Sequence, residues 1–166
     1  MSQALRLWLI ILAFARAPMA SASGYFGLRA EAFYGCVCGG FQFGYDLEDS
    51  GGFGVRGSFT TLVLLNRFGL GAYWRTGVDD GKSVYVGAGG SWLFGYLLNN
   101  VLELHALVGI EFSLSQSASF FIEGTLGTVL SGGRQQFDPP PFPGAPEPTL
   151  AGLITGSVGL GFNFRF

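Results

Sequence analysis

The sequence predicts an all-β protein: an eight-stranded antiparallel up-and-down transmembrane β-barrel, preceded by a signal peptide. Three observations carry this. Apolar and polar residues alternate with period two through eight successive segments. Every proline after residue 22 lies within Pro139–Pro148, clear of ladders in which a missing N–H would leave a gap. Of 166 residues, 49% are hydrophobic, 16% aromatic and only 12% charged, and 28 are Gly. Charge is thus about half, and Gly about double, the share in a soluble domain. A chain of short strands facing lipid has that composition.

The same numbers exclude other classes. So apolar a chain does not stay disordered, and a formal net charge of −2 lacks the basic footprint of nucleic-acid binding. The length suits one domain.

The first element is an address. Met1–Arg6 is a short basic region, Leu7–Ala15 is apolar, and Ala20-Ser-Ala22 offers a small-residue cleavage site. Arg16 interrupts the run at about half the ~20 residues a spanning helix needs. Residues 1–22 read as a signal peptide and residues 23–166 as the barrel domain.

The strands follow in order. Phe26, Leu28, Ala30, Ala32 and Tyr34 oppose Gly27, Arg29 and Glu31. Phe41, Phe43, Tyr45 and Leu47 oppose Gln42, Gly44, Asp46 and Glu48. Phe53, Val55, Phe59, Thr61 and Val63 oppose Gly54, Arg56 and Ser58. Phe68, Leu70, Ala72 and Trp74 oppose Gly69, Gly71, Tyr73 and Arg75. Val84, Val86, Ala88, Trp92 and Phe94 oppose Tyr85, Gly87, Gly89 and Ser91. Leu102, Leu104, Ala106, Val108, Ile110 and Phe112 oppose Glu103, His105, Gly109, Glu111 and Ser113. Phe120, Ile122, Leu126 and Leu130 oppose Glu123, Thr125, Gly127 and Ser131. Leu150, Ile154, Val158, Leu160, Phe162, Phe164 and Phe166 oppose Thr155, Ser157, Gly159, Gly161, Asn163 and Arg165. Each segment has about the length that crosses a bilayer when tilted.

Compact reversals are expected at Asp49–Gly52, Asp79–Lys82 and Ser115–Ser117. Residues 132–149 form the one long, Pro-rich loop. Cys36 and Cys38 alone cannot fill a four-ligand zinc site, and the single His105 is remote in sequence. No metal, cofactor or catalytic site is expected.

The alternation also fits a soluble barrel with an apolar interior. Three features favour lipid outside. The polar faces are small and Gly-rich, as a closed lumen needs. Lys82 is the only lysine, whereas a water-facing exterior carries many long polar side chains. Aromatics near the strand ends suit interfacial girdles, with Phe26, Phe53, Trp74, Phe112 and Phe120 at one rim and Phe41, Phe68, Trp92 and Phe94 at the other. The lumen then holds a polar network of Arg29, Glu31, Arg56, Arg75, Glu103, His105, Glu111, Glu123 and Arg165, which can pair across strands.

The C-terminal segment Gly159-Leu-Gly-Phe-Asn-Phe-Arg-Phe166 alternates aromatics and ends on Phe166. It resembles the terminal strand signal of bacterial outer-membrane barrels, and the mature chain is similar to the small OmpA/OmpX-like members. The resemblance implies the bacterial outer membrane as location and outer-membrane lipid as surroundings. It also implies that Phe162, Phe164 and Phe166 are read by the barrel-assembly machinery. The first three outer loops are shorter than in that pattern, against an adhesin role built on long loops.

The function expected is non-enzymatic: an envelope-structural or surface-interaction role, with an envelope or surface protein as partner through the Pro-rich loop. A narrow conduit for small or hydrophobic molecules is the alternative. Outer-membrane lipid A deacylases resemble this barrel and would cast His105 as general base, but their His-x-Ser spacing is missing because Leu107 occupies the second position. A soluble lipocalin-like carrier stands outside the membrane class. Export and an even strand number put both termini in the periplasm. Cys36, Asn66, Asn99 and 132–149 are then expected outside.

Overall fold

The computed structural model describes residues 22–47, 52–62, 65–79, 81–95, 100–132 and 150–166. All but the last residue of the predicted leader, together with Glu48, Val63, Asn99 and nearly all of the Pro-rich loop, lie outside the described residues.

Eight strands form: β1 (Ala22–Phe33), β2 (Cys36–Leu47), β3 (Phe53–Leu62), β4 (Leu65–Asp79), β5 (Lys82–Gly95), β6 (Val101–Ser113), β7 (Ala118–Ser131) and β8 (Ile154–Arg165). Each pairs antiparallel with its sequence neighbour, and β8 returns to β1, giving a closed up-and-down barrel. Closure removes the edges that an open sheet would leave unpaired. The last ladder runs from Tyr25↔Arg165 to Phe33↔Ser157, and the Phe166 N–H extends it by donating to the Gly24 carbonyl at 3.1 Å. We call the end bearing the β1–β2, β3–β4 and β5–β6 turns the upper end. The lower end carries the two ends of the barrel, Ala22 and Phe166.

The apolar parity faces outward. Leu28, Phe43, Leu70, Trp74, Val86, Leu104, Val108, Leu126 and Leu160 are all exposed. Rings meet on this face, Phe26 with Phe41 and Phe41 with Phe59, and likewise Phe112 with Phe120 and Phe120 with Phe162. Phe26 and Phe41, expected at opposite rims, stack with centroids 6.1 Å apart. Strand stagger brings them level, so the two girdles merge there.

Three further departures have local causes. β4 begins at Leu65 rather than Phe68, because Leu65 pairs with Leu62 and Asn66 with Thr61. Leu150, expected on the last strand, precedes a turn in which the Leu153 N–H donates to its carbonyl and Gly152 adopts φ +83°. A register shift at Leu102/Glu103 skips Leu130, so Ser131 sits opposite outward Leu102 instead of on the lumen parity. Such a bulge leaves one residue unpaired and reverses the faces beyond it.

Candidate functional site

Among the described residues two surfaces stand out: the outward apolar band and the filled lumen. The lumen is organised in levels. At the upper end Phe33, Cys38, Leu65, Leu93, Val101 and Val129 form a buried apolar layer, against which Cys36 and Leu150 pack. The lumen parity is therefore not polar throughout, as the alternation alone suggested. The strand termini place these six side chains on one level, where they pack together, with the Arg67 guanidinium 5.5 Å over the Phe33 ring.

Beneath that layer lies a chain of ion pairs. Glu103 meets Arg67 at 2.9 Å, Arg67 also bonds Glu31, and Arg29 reaches Glu31 at 3.3 Å and Glu123 at 3.6 Å. Glu123 in turn takes both guanidinium nitrogens of Arg56, one at 2.6 Å. Three Arg thus face three Glu. At the lower end Arg75 and Arg165 alternate with Asp46 and Glu111 in a closed square, with edges of 2.7, 2.7, 2.8 and 3.0 Å. Two Arg face two acids there. Each block is neutral, as a narrow interior requires, because an uncompensated buried charge is strongly destabilising.

Neutral side chains stitch the blocks together. Arg29 donates to Gln42 at 3.2 Å, Gln42 to Asn163 at 2.7 Å, and Asn163 to Glu111 at 3.4 Å. Hydroxyls occupy remaining carboxylate lone pairs: Ser157 on Glu31 at 2.6 Å, Thr155 on Glu103 and Ser119 on Glu111. Between the blocks sit Tyr25, Tyr73, Tyr85 and Leu107. Each tyrosine ring lies over a cross-strand glycine (Tyr25 on Gly44, Tyr73 on Gly54, Tyr85 on Gly109), where a Cβ would come within 2.2–2.6 Å of the ring. The Gly-rich lumen face thereby makes room for its aromatics.

All nine lumen residues singled out from sequence line this interior. Eight join the two ion-pair blocks, whereas His105 stands beside them, its Nδ1 3.3 Å from Ser91 Oγ. Sequence reasoning missed Arg67, which joins two carboxylates and lies 5.5 Å over the Phe33 ring. Its parity with Gly69 and Gly71 is the signal that places it in the lumen, on a stretch of β4 that precedes the apolar alternation at Phe68. Asp46, on the polar parity of β2, completes the lower square.

The Ser91–His105 contact brings together the residue types a hydrolase uses. The void beside it is about 20 Å³, and a second void near Tyr25 and Tyr85 is about 10 Å³. Each has room for about one or two waters, not for a substrate. A conduit meets two obstacles in series, the apolar layer and the ion-pair chain. Among the described residues no group of three or more His, Cys, Asp or Glu is placed to hold a metal ion.

No family model and no curated protein sequence matches the chain. Solved structures do match its fold. The N-terminal β-barrel domain of Pseudomonas aeruginosa OprF aligns with a TM-score of 0.59 at 17% identity, over 87% of this chain and 97% of that one. Neisserial surface protein A aligns at 0.55 and 11% identity, over 87% and 96%. A de novo designed transmembrane β-barrel aligns at 0.56 and 11% identity, over 87% and 95%. The chain has the fold of the small eight-stranded outer-membrane barrels.

Proposed function

We propose that the protein is a non-enzymatic β-barrel of the bacterial outer membrane whose work is structural or surface-interactive within the envelope. The outward apolar band carries this reading. A water-soluble protein seldom exposes contiguous apolar patches beyond a few hundred Å², whereas here the outward face of all eight strands is apolar. The likeness to OprF, Neisserial surface protein A and a designed transmembrane barrel supports the same surroundings. A lumen filled by paired charges and stopped by an apolar layer speaks for a scaffold rather than a pore.

In this reading residues 1–22 direct export and are removed. Phe162, Phe164 and Phe166 present the last strand to the barrel-assembly machinery, outer-membrane lipid surrounds the barrel, and an envelope or surface protein is the partner, met through 132–149. Cell fractionation tests the assignment directly. The expected result is a heat-modifiable band in the outer-membrane fraction. Folded monomer in a detergent-free soluble extract would overturn it in favour of a lipocalin-like carrier.

A further inference from the structure

We infer that the upper rim at the β1–β2, β3–β4 and β5–β6 hairpins and the start of β8 is itself a lipid-binding surface: it lies within the interfacial region of the bilayer instead of projecting into water. The inference rests on the membrane reading above and adds where along its axis the barrel sits.

The upper hairpins are the evidence. Residues 34–37 read Tyr-Gly-Cys-Val, 62–66 read Leu-Val-Leu-Leu-Asn, and 95–101 read Gly-Tyr-Leu-Leu-Asn-Asn-Val, with no charged residue in any of them. In the described part of this end Tyr34, Val37, Leu62, Leu153 and Ile154 are exposed, Val37 at 68% and Ile154 at 75%. Among the described residues the charges nearest these hairpins, Arg67 and Glu103, are turned inward and buried, and Arg134, Asp138 and Glu147 belong to the β7–β8 connection. Lower turns differ. Residues 48–49 are Glu-Asp and 79–82 are Asp-Asp-Gly-Lys, with the partly exposed Arg165 and Arg75 at the lumen mouth.

Continuity names the occupant. Val37 shares the outward parity with Phe41 and Phe43, and Ile154 with Val158 and Leu160, so on β2 and β8 the apolar face reaches the upper rim, while on β3 and β4 the Thr61 hydroxyl donates to the Asn66 side chain at 2.8 Å. Length agrees. A 12-residue strand such as β1 is about 40 Å long, and a tilt of about 40° leaves it rising roughly 30 Å, the thickness of a hydrocarbon core. With the charged lower turns held at one interface, the upper rim reaches the other and no further. Tyr34, whose φ of 49° holds it in the β1–β2 turn, and Trp92, whose indole N–H donates to Asn100 at 3.2 Å, are side chains with an apolar body and a polar handle. Such residues are enriched at that depth.

The test is depth-resolved fluorescence in bilayers containing lipids brominated at defined acyl positions. Trp74 and Trp92 are first replaced by Phe. Single probes are then introduced as Val37→Trp and Ile154→Trp at the upper end, Val108→Trp in the middle and Ser115→Trp at the lower turn. Both upper probes should be quenched best by bromines near the headgroups and poorly by aqueous acrylamide. Quenching by acrylamide alone would overturn the inference, showing an end that stands in water. Shielding from both quenchers would overturn it too, since protein (the Pro-rich segment or a second copy) would then cover the rim. Val108→Trp reports on the parent reading. Deep-bromine quenching there keeps the barrel in the membrane whatever the upper probes show, and its absence would remove the membrane assignment itself.

Discussion

Replacing Arg67 by Met is the sharpest perturbation of the lumen, because this one side chain balances two carboxylates. Glu31 would keep Arg29 at 3.3 Å, but Glu103 would keep only the Thr155 hydroxyl. The upper block would then hold two Arg against three Glu, the carboxylates all buried. Removing one partner of a buried pair costs about 3–5 kcal/mol, chiefly through the charge left behind. Neutralising that charge should therefore recover most of the loss. In Arg67→Met/Glu103→Gln the block returns to two Arg and two Glu, and Thr155 can still donate to the amide oxygen. Unfolding in urea from lipid vesicles, followed by the heat-modified gel shift, measures both variants against the parent. The single substitution should cost about 3–5 kcal/mol and the double about 1–2 kcal/mol. A double variant as unstable as the single one would show that packing, not charge balance, sets the cost.

The same unfolding assay separates the two faces: Val108→Arg or Ile122→Arg should cost about 2–4 kcal/mol at the midplane, while Thr125→Ser in the lumen should change little. Equal tolerance on both parities would reverse the inside–outside assignment. Gly109→Val should displace the Tyr85 ring, which lies 2.2 Å from where a Cβ would stand, and cost about 1–3 kcal/mol by overpacking; wild-type stability would mean the ring has room to leave. Deletion of Phe166 should lower the amount of assembled barrel in cells more than truncation around Pro140 does, and normal insertion at native expression would remove the assembly role. A tag at Gly144 should be labelled by antibody on intact cells, whereas labelling at Asp80 instead would invert the topology.

Most of the architecture was legible in the sequence because period-two alternation is a local property. Leu102–Phe112 shows it in full: each residue's face follows from its neighbours, and β6 has that inside–outside pattern. What the chain does at strand ends was not legible, because there the face of a residue depends on pairing with another strand. Ser131 changes face through a bulge opposite Leu102, and Leu150 leaves the strand to pack on the upper layer. The apolar layer itself cannot be read from any one strand. Phe33, Leu65 and Leu93 each look like strand-end residues of the lumen parity, and only closure of the ladder sets them at one height.

Charge balance shows the same division between local and closed-ring information. Read strand by strand, the lumen parity held four arginines and six acids, an excess that no arrangement of partners removes. Starting β4 at Leu65 adds Arg67 to the interior, and Glu48 lies outside the described residues. Among the described lumen side chains five Arg then meet five acids in two neutral blocks. Arg67, two residues before Gly69 on the same parity, supplies the fifth cation, and each described lumen carboxylate then has an arginine partner, as burial of a charge demands. The levels it completes, apolar above and ionic below, close the lumen twice over.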